Sequence, residues 1–220
     1  MPSALAAAMF GFLLGLRHAT DADHVVAITT IVSRERTFTR AAWIGGLWGI
    51  GHSVTVLVVG GALVITRQAI PPRLGLGLEF GVALMLIVLG FSTLRREEPA
   101  AAHRHDLRAS LGGLRPVFIG VVHGLAGSAA VALLVLTAIP ETIWALAYLA
   151  VFGVGTIAGM TVVTAMVAAP AVYAGDRVLR FQRGIRVAAG VLSVAFGLFL
   201  AQQIVVGGGL FSATVRWSPR

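Results

Sequence analysis

Apolar runs broken by short polar stretches make up most of the chain, and they are too long and uniform for the interior of a water-soluble fold. They cover about 5–32, 43–66, 76–94, 116–139, 143–169 and 185–206. Most reach the roughly 20 residues that a helix needs to cross the hydrocarbon of a bilayer. The first is different. Leu5 to Leu16 gives 12 residues, about 18 Å of helix, before RHATDADH at 17–24 interrupts with one arginine, two histidines and two aspartates. Only by continuing through that cluster to Val32 does the run become long enough to span. The expected fold is an all-α integral membrane protein with six transmembrane helices, the first distorted at the charged motif.

Composition agrees. Hydrophobic residues are 57% and charged residues 12%, with a mean hydropathy of +0.90, outside the ordinary soluble range. The chain has no cysteine, which excludes a disulfide framework and a thiolate metal site. MPSALAAAMF lacks the positive region of a signal peptide and reads as the start of the first span. The net charge of +8 comes from 17 arginines and no lysine. No basic stripe with interleaved aromatics accompanies it, so the expected partner is the lipid bilayer and not nucleic acid.

Arginine placement predicts orientation. Arg34, Arg36 and Arg40 follow span 1, Arg95, Arg96, Arg104, Arg108 and Arg115 follow span 3, and Arg177, Arg180, Arg183 and Arg186 follow span 5. Only Arg67, Arg73, Arg216 and Arg220 fall on the other side. The positive-inside rule puts the first group in the cytoplasm and both termini outside, in the cytoplasmic membrane.

The two halves look related. GLRHATDADHVVA and GVVHGLAGSAAVA share G-x-x-H, aligning His18 with His123, and GIGHS in span 2 is matched by GVGTI in span 5. Gly90 in VLGF and Gly197 in AFGL occupy corresponding places in spans 3 and 6. Residues 1–95 then form one three-helix repeat and 115–220 a second. A flexible cytoplasmic linker, 96–114, would join them. With three spans each, the repeats must be inverted, as in many secondary transporters. A monomer is complete on this plan, while the glycine-rich spans also permit a homodimer.

His18, Asp21, Asp23 and His24 supply an N/O donor set that suits Ni²⁺, Co²⁺, Zn²⁺ or Cu²⁺. His18–Asp21 and Asp21–His24 are i,i+3 pairs on one helical face, but Asp23 is not on it. Convergence on one ion therefore requires a broken helix, which Gly11 and Gly15 would ease. His52 and His123 add an imidazole in each of two further spans. A charge at the centre of a spanning helix costs about 2.5–3.5 kcal/mol on insertion scales, so such groups belong to ion pathways. A cytoplasmic turn capped by Asp21 or Asp23 is the competing account, against which the shortness of Leu5–Leu16 argues. His103 and His105 read as part of a solvated loop.

At these residues the chain resembles the nickel/cobalt transporter family. RHATDADH matches that family's H-x4-D-H signature, including the arginine before it. LWGIGHSVTVLVVGG is similar to its second histidine-containing span, and HGLAGSAAVALLVL to a span of the shorter branch named for urease accessory and high-affinity nickel-transport proteins. The resemblance covers most of the chain. It implies that His18, Asp23 and His24 bind the transported cation, with Asp21 and His52 close by. The chain departs from typical members in having six spans where they have eight, and in having no carboxylate in HGLAGSAA, where many carry an acidic motif.

The expected function is secondary transport of Ni²⁺ or Co²⁺, as substrate and with no cofactor, in the uptake direction. No ATP-binding Gly-rich loop is present, so a proton gradient or membrane potential would drive it. Export, or metal binding by an accessory protein without transport, are the alternatives. No H-E-x-x-H occurs and no glutamate adjoins the histidines, which argues against a metalloenzyme.

Overall fold

A computed structural model describes residues 4–33, 35, 37–68, 70–95, 108–174 and 179–217. Among them every regular element is helical. The helices are α1 (Ala4–His18), α2 (Ala22–Val32), α3 (Phe38–Thr55), α4 (Gly61–Thr66), α5 (Pro72–Arg95), α6 (Arg108–Ala138), α7 (Thr142–Ala174) and α8 (Leu179–Gln202). A π-helical turn, Val56–Gly60, joins α3 to α4 in one continuous rod, and a second, Gln203–Gly207, extends α8.

Four of these rods are long and apolar enough to cross a membrane: Phe38–Thr66, Pro72–Arg95, Thr142–Pro170 and Arg183–Gly207. The protein is thus an all-α membrane protein with four spans of ordinary form. The other two expected spans look different. The first is two helices, and the fourth lies within the long helix α6, Arg108–Ala138. Helix α6 begins at Arg108, so the end of the expected flexible linker, 108–114, is helical. The rest of that linker, with His103 and His105, lies outside the described residues, as do Arg34 and Arg36.

Side-chain exposure follows a lipid-facing pattern. On α3 and its continuation Trp43, Ile50, Val54, Val58 and Ile65 are exposed, while Gly45, Trp48, Gly49 and His52 on the other face are buried. Helix α3 lies at the centre, packed on both α6 and α7; α1 packs on α7 and α5 on α8, with α2 against α8, α7 and α5.

Glycines set these distances. A Cβ at Gly15 would collide with the Phe152 carbonyl, and one at Gly120 with that of Trp48. Gly155 and Gly51 stand in the same relation to Phe12 and Val117, and Gly90 and Gly197 to Gly190 and Ala83. Close backbone approach of this kind is how membrane helices gain dispersion contact where lipid provides no hydrophobic drive.

The motif helix breaks between His18 and Ala22. Helix α1 tightens as it ends: the Thr20 and Asp21 amides donate to the Arg17 and His18 carbonyls, three residues back, at 2.9 and 3.1 Å. The Thr20 hydroxyl also donates to the Arg17 carbonyl (2.6 Å), a side-chain bond that competes with helix continuation. Asp21 is extended (φ −61°, ψ 147°) and α2 starts after it. Gly11 and Gly15, expected to ease the distortion, sit instead in regular helix and serve packing against Tyr148 and Phe152.

A candidate metal centre at the helix break

The break turns His18 and His24 toward each other, with ring centroids 4.6 Å apart. His52 comes from α3, 5.2 Å from both rings, and His123 from α6, 4.2 Å from His24. The close seating of α6 on α3 makes this convergence feasible, because Gly120 and Gly124 lie against the backbone of Trp48 and His52. His24, His52 and His123 are each at most 2% exposed.

Hydrogen bonds assign the tautomers. A carboxylate can only accept, so each imidazole facing one donates to it. His18 Nδ1 donates to Asp21 Oδ2 (2.9 Å), His24 Nδ1 to Asp23 Oδ1 (3.1 Å), and His123 Nε2 to Asp23 Oδ2 (2.9 Å). Asp23 thus bridges two histidines 99 residues apart. In neutral rings the opposite nitrogens keep lone pairs. His24 Nε2 and His123 Nδ1 have no hydrogen-bond partner, although both are buried. His18 Nε2 lies 3.2 Å from His52 Nε2; if His52 donates there, its Nδ1 keeps the lone pair, and that atom too is buried and unpartnered.

Unpaired buried polar atoms are costly and rare. Several basic nitrogens in this state, in one cluster, fit a cation that completes them. Two donor groupings each lie within 4.8 Å, one of His18, His24 and His52, the other of Asp23, His24 and His123. The 3.2 Å separation of His18 Nε2 and His52 Nε2 is also close to the spacing of about 3.0–3.4 Å between neighbouring nitrogens on a metal with bonds near 2.0–2.1 Å, a pairing that takes the other His52 tautomer, with the proton on Nδ1. Carboxylates that hold imidazole N–H groups are the usual supports of metal-binding histidines, fixing tautomer and ring direction.

The structure therefore brings together all six residues singled out in the sequence: His18, Asp21, Asp23, His24, His52 and His123. Their order differs from the linear picture. Asp23, off the face of an ideal helix, sits among the imidazoles because the break swings α2 round. Asp21 stays at the half-exposed edge. Ser53 and Thr55 bond carbonyls of Gly153 and Gly51 instead of facing the cluster. Sequence reasoning missed Trp48, whose ring lies 5.5 Å from His24 and 5.7 Å from His123 with a buried, unpartnered indole N–H. It also missed Glu79.

The cluster opens on a cavity of about 440 Å³ whose walls include Arg17, Asp21, Glu79, Val82, Phe196 and Ile204. Among the described residues three carboxylates, counting Asp23, face it against one arginine. Such a balance draws cations, and low-dielectric walls strengthen the attraction.

Comparison with known proteins agrees. The chain is 32% identical over 218 residues to the urease accessory protein UreH of Bacillus sp. (strain TB-90), covering 94% of this chain and 95% of that one. It is 29% identical over 119 residues to the high-affinity nickel transport protein of Cupriavidus necator, covering 51% of this chain and 34% of the other. The chloroplast protein FOR GROWTH AND FERTILITY 2 of Arabidopsis thaliana is 24% identical over 94% of this chain and 59% of its own length. No family model and no solved structure matches. Full-length similarity to UreH, joined to the H-x4-D-H signature and the partial match to a nickel transporter, shows that the chain belongs to the nickel/cobalt transporter family.

Proposed function

We propose that the protein is a secondary transporter that takes up Ni²⁺ or Co²⁺ through the cytoplasmic membrane. One observation carries the reading: imidazoles from α1, α2, α3 and α6 gather in two overlapping donor groupings that share His24, and three of the four have a buried nitrogen with no protein partner. On this reading the four histidines hold the ion, while Asp21 and Asp23 hold the histidines and offset its charge. That division differs from the resemblance alone, which makes Asp23 a ligand.

The contacts between helices support a two-half design. Offsetting residue numbers by 104 to 107 carries Gly15 to Gly120 and Trp48 to Phe152, Gly51 to Gly155 and Phe12 to Val117, Gly90 to Gly197 and Ala83 to Gly190. Each close contact is exchanged for its counterpart, as a two-fold relation between 1–95 and 115–220 requires. The histidines lie where the halves meet, so rocking one against the other would alternate access to them. The cavity walls from Glu79 and Ile204 lie near the ends of α5 and α8 that the arginine count assigns to the outside.

The test is Co²⁺ or Ni²⁺ flux into liposomes holding the purified protein under a set pH gradient and voltage. His18→Ala and His24→Ala should each abolish saturable flux, and wild-type-like flux in both refutes the proposal. The similarity to a urease accessory protein favours a second reading, metal binding without translocation. Stoichiometric binding with no flux would select it.

A further inference from the structure

Glu79 is a carboxylate inside an otherwise apolar stretch of α5, LGLGLEFGVALMLIVLGF. It stands seven residues from Pro72, about 10 Å along the helix. It lies on the wall of the cavity that leads to the histidines. It is also held there. The Trp217 indole N–H donates to Glu79 Oε1 at 2.9 Å, an interaction across 138 residues.

The chain is shaped to make that contact. Beyond α8 it turns at Gly209, whose φ of +68° suits glycine, and the Arg216 amide donates back to the Gly208 carbonyl (2.9 Å). Arg73 at the start of α5 donates to the Ser212 carbonyl (3.3 Å). Trp217 then seats its ring on Gly75, where any Cβ would collide with it, among Leu76, Phe80 and Val215. The segment beyond α8 is thus folded over α5, and its side-chain contact to a carboxylate is the one that Trp217 makes with Glu79. An indole N–H can donate but not accept, so it leaves the carboxylate its charge while fixing its direction, as supports of metal-binding carboxylates do.

We propose that Glu79 is a further cation-binding residue, a carboxylate stop between the cavity mouth and the imidazoles, with Trp217 as its positioning residue. The ligand class is a divalent transition-metal ion still carrying water, which hard oxygen donors take before imidazoles replace that water. The inference rests on the reading of the histidine cluster as the destination of the ion.

Equilibrium Co²⁺ binding and Co²⁺ flux, both against concentration, test it with the full chain. Glu79→Gln keeps the acceptor for Trp217 and removes the charge. It should raise the half-saturating concentration about tenfold, the lower end of electrostatic focusing, and more than it lowers the maximum rate. Trp217→Phe should raise half-saturation in the wild-type background and have no effect once Glu79 is Gln. Unchanged half-saturation in Glu79→Gln overturns the proposal, and so does an equal effect of Trp217→Phe in both backgrounds. His24→Ala separates the two levels. If it abolishes binding while Glu79→Gln changes nothing, only the carboxylate stop fails. If it leaves binding intact, or the wild type binds no Co²⁺, the underlying reading fails and the inference with it.

Discussion

Asp23 holds two imidazole N–H groups at once, one from its neighbour His24 and one from His123 across the molecule. Its replacement by Asn would keep the shape but offer an amide N–H where an acceptor is needed, freeing at least one ring to choose the other tautomer. Loss of such a support commonly costs 10–100-fold in metal affinity, so Asp23→Asn should weaken Co²⁺ binding by that factor while leaving the protein folded. Equilibrium dialysis beside a thermal melt would check both parts. Binding also has a proton dependence of known sign, because the ion needs imidazole lone pairs for which protons compete. Half-saturating Co²⁺ should therefore be higher in acid than at neutral pH, and tighter binding in acid would mean that the histidines are not the donors. The candidate residues were readable from the linear chain because titratable groups inside apolar runs are costly and few. Their partnerships were not. Nothing local to Asp23 points to His123, and Glu79 lies close enough to the end of its helix to pass for an interfacial charge.

The shortness of Leu5–Leu16 made the broken first helix foreseeable, since a regular helix could neither cross nor bring Asp23 to the imidazoles. The place of the break was less legible. Gly11 and Gly15 suggested weakness before the motif, yet tertiary packing claims both, and the interruption falls at Ala19–Asp21, where Thr20 bonds back to Arg17. Glycine in a membrane helix signals a neighbour at least as often as a bend. This gives a sharp contrast between two similar substitutions. Gly120→Ala puts a methyl group into the Trp48 carbonyl and should destabilise by about 1–3 kcal/mol, the usual cost of overpacking. Gly77→Ala meets open space and should be neutral or gain up to about 1 kcal/mol from helix propensity. Denaturation of the detergent-solubilised variants would rank them, and equal stabilities would deny that α6 and α3 touch through backbone.

For the protein as a unit, the amino-acid order conveyed helical membrane architecture, and the four long spans came out with near-expected bounds. Orientation remains a matter of charge counting and is open to direct test. With no native cysteine, single replacements report cleanly. Thr37→Cys, at the start of α3, should react with a membrane-impermeant maleimide only after permeabilisation. Ser212→Cys, in the segment beyond α8, should react in intact cells. The reverse order would turn the molecule over and point the cavity into the cytosol.

One feature of the break reaches beyond the donor set. Helix α1 is anchored to α7 alone among these neighbours, whereas α2 rests on α8 and α5 as well as on α7, and covalently the two share only the three-residue swivel Ala19–Asp21. A cation gripped by His18 and His24 together would fasten those two bodies like a rivet. While cargo is seated they must turn as one piece, and its departure is what lets them come apart.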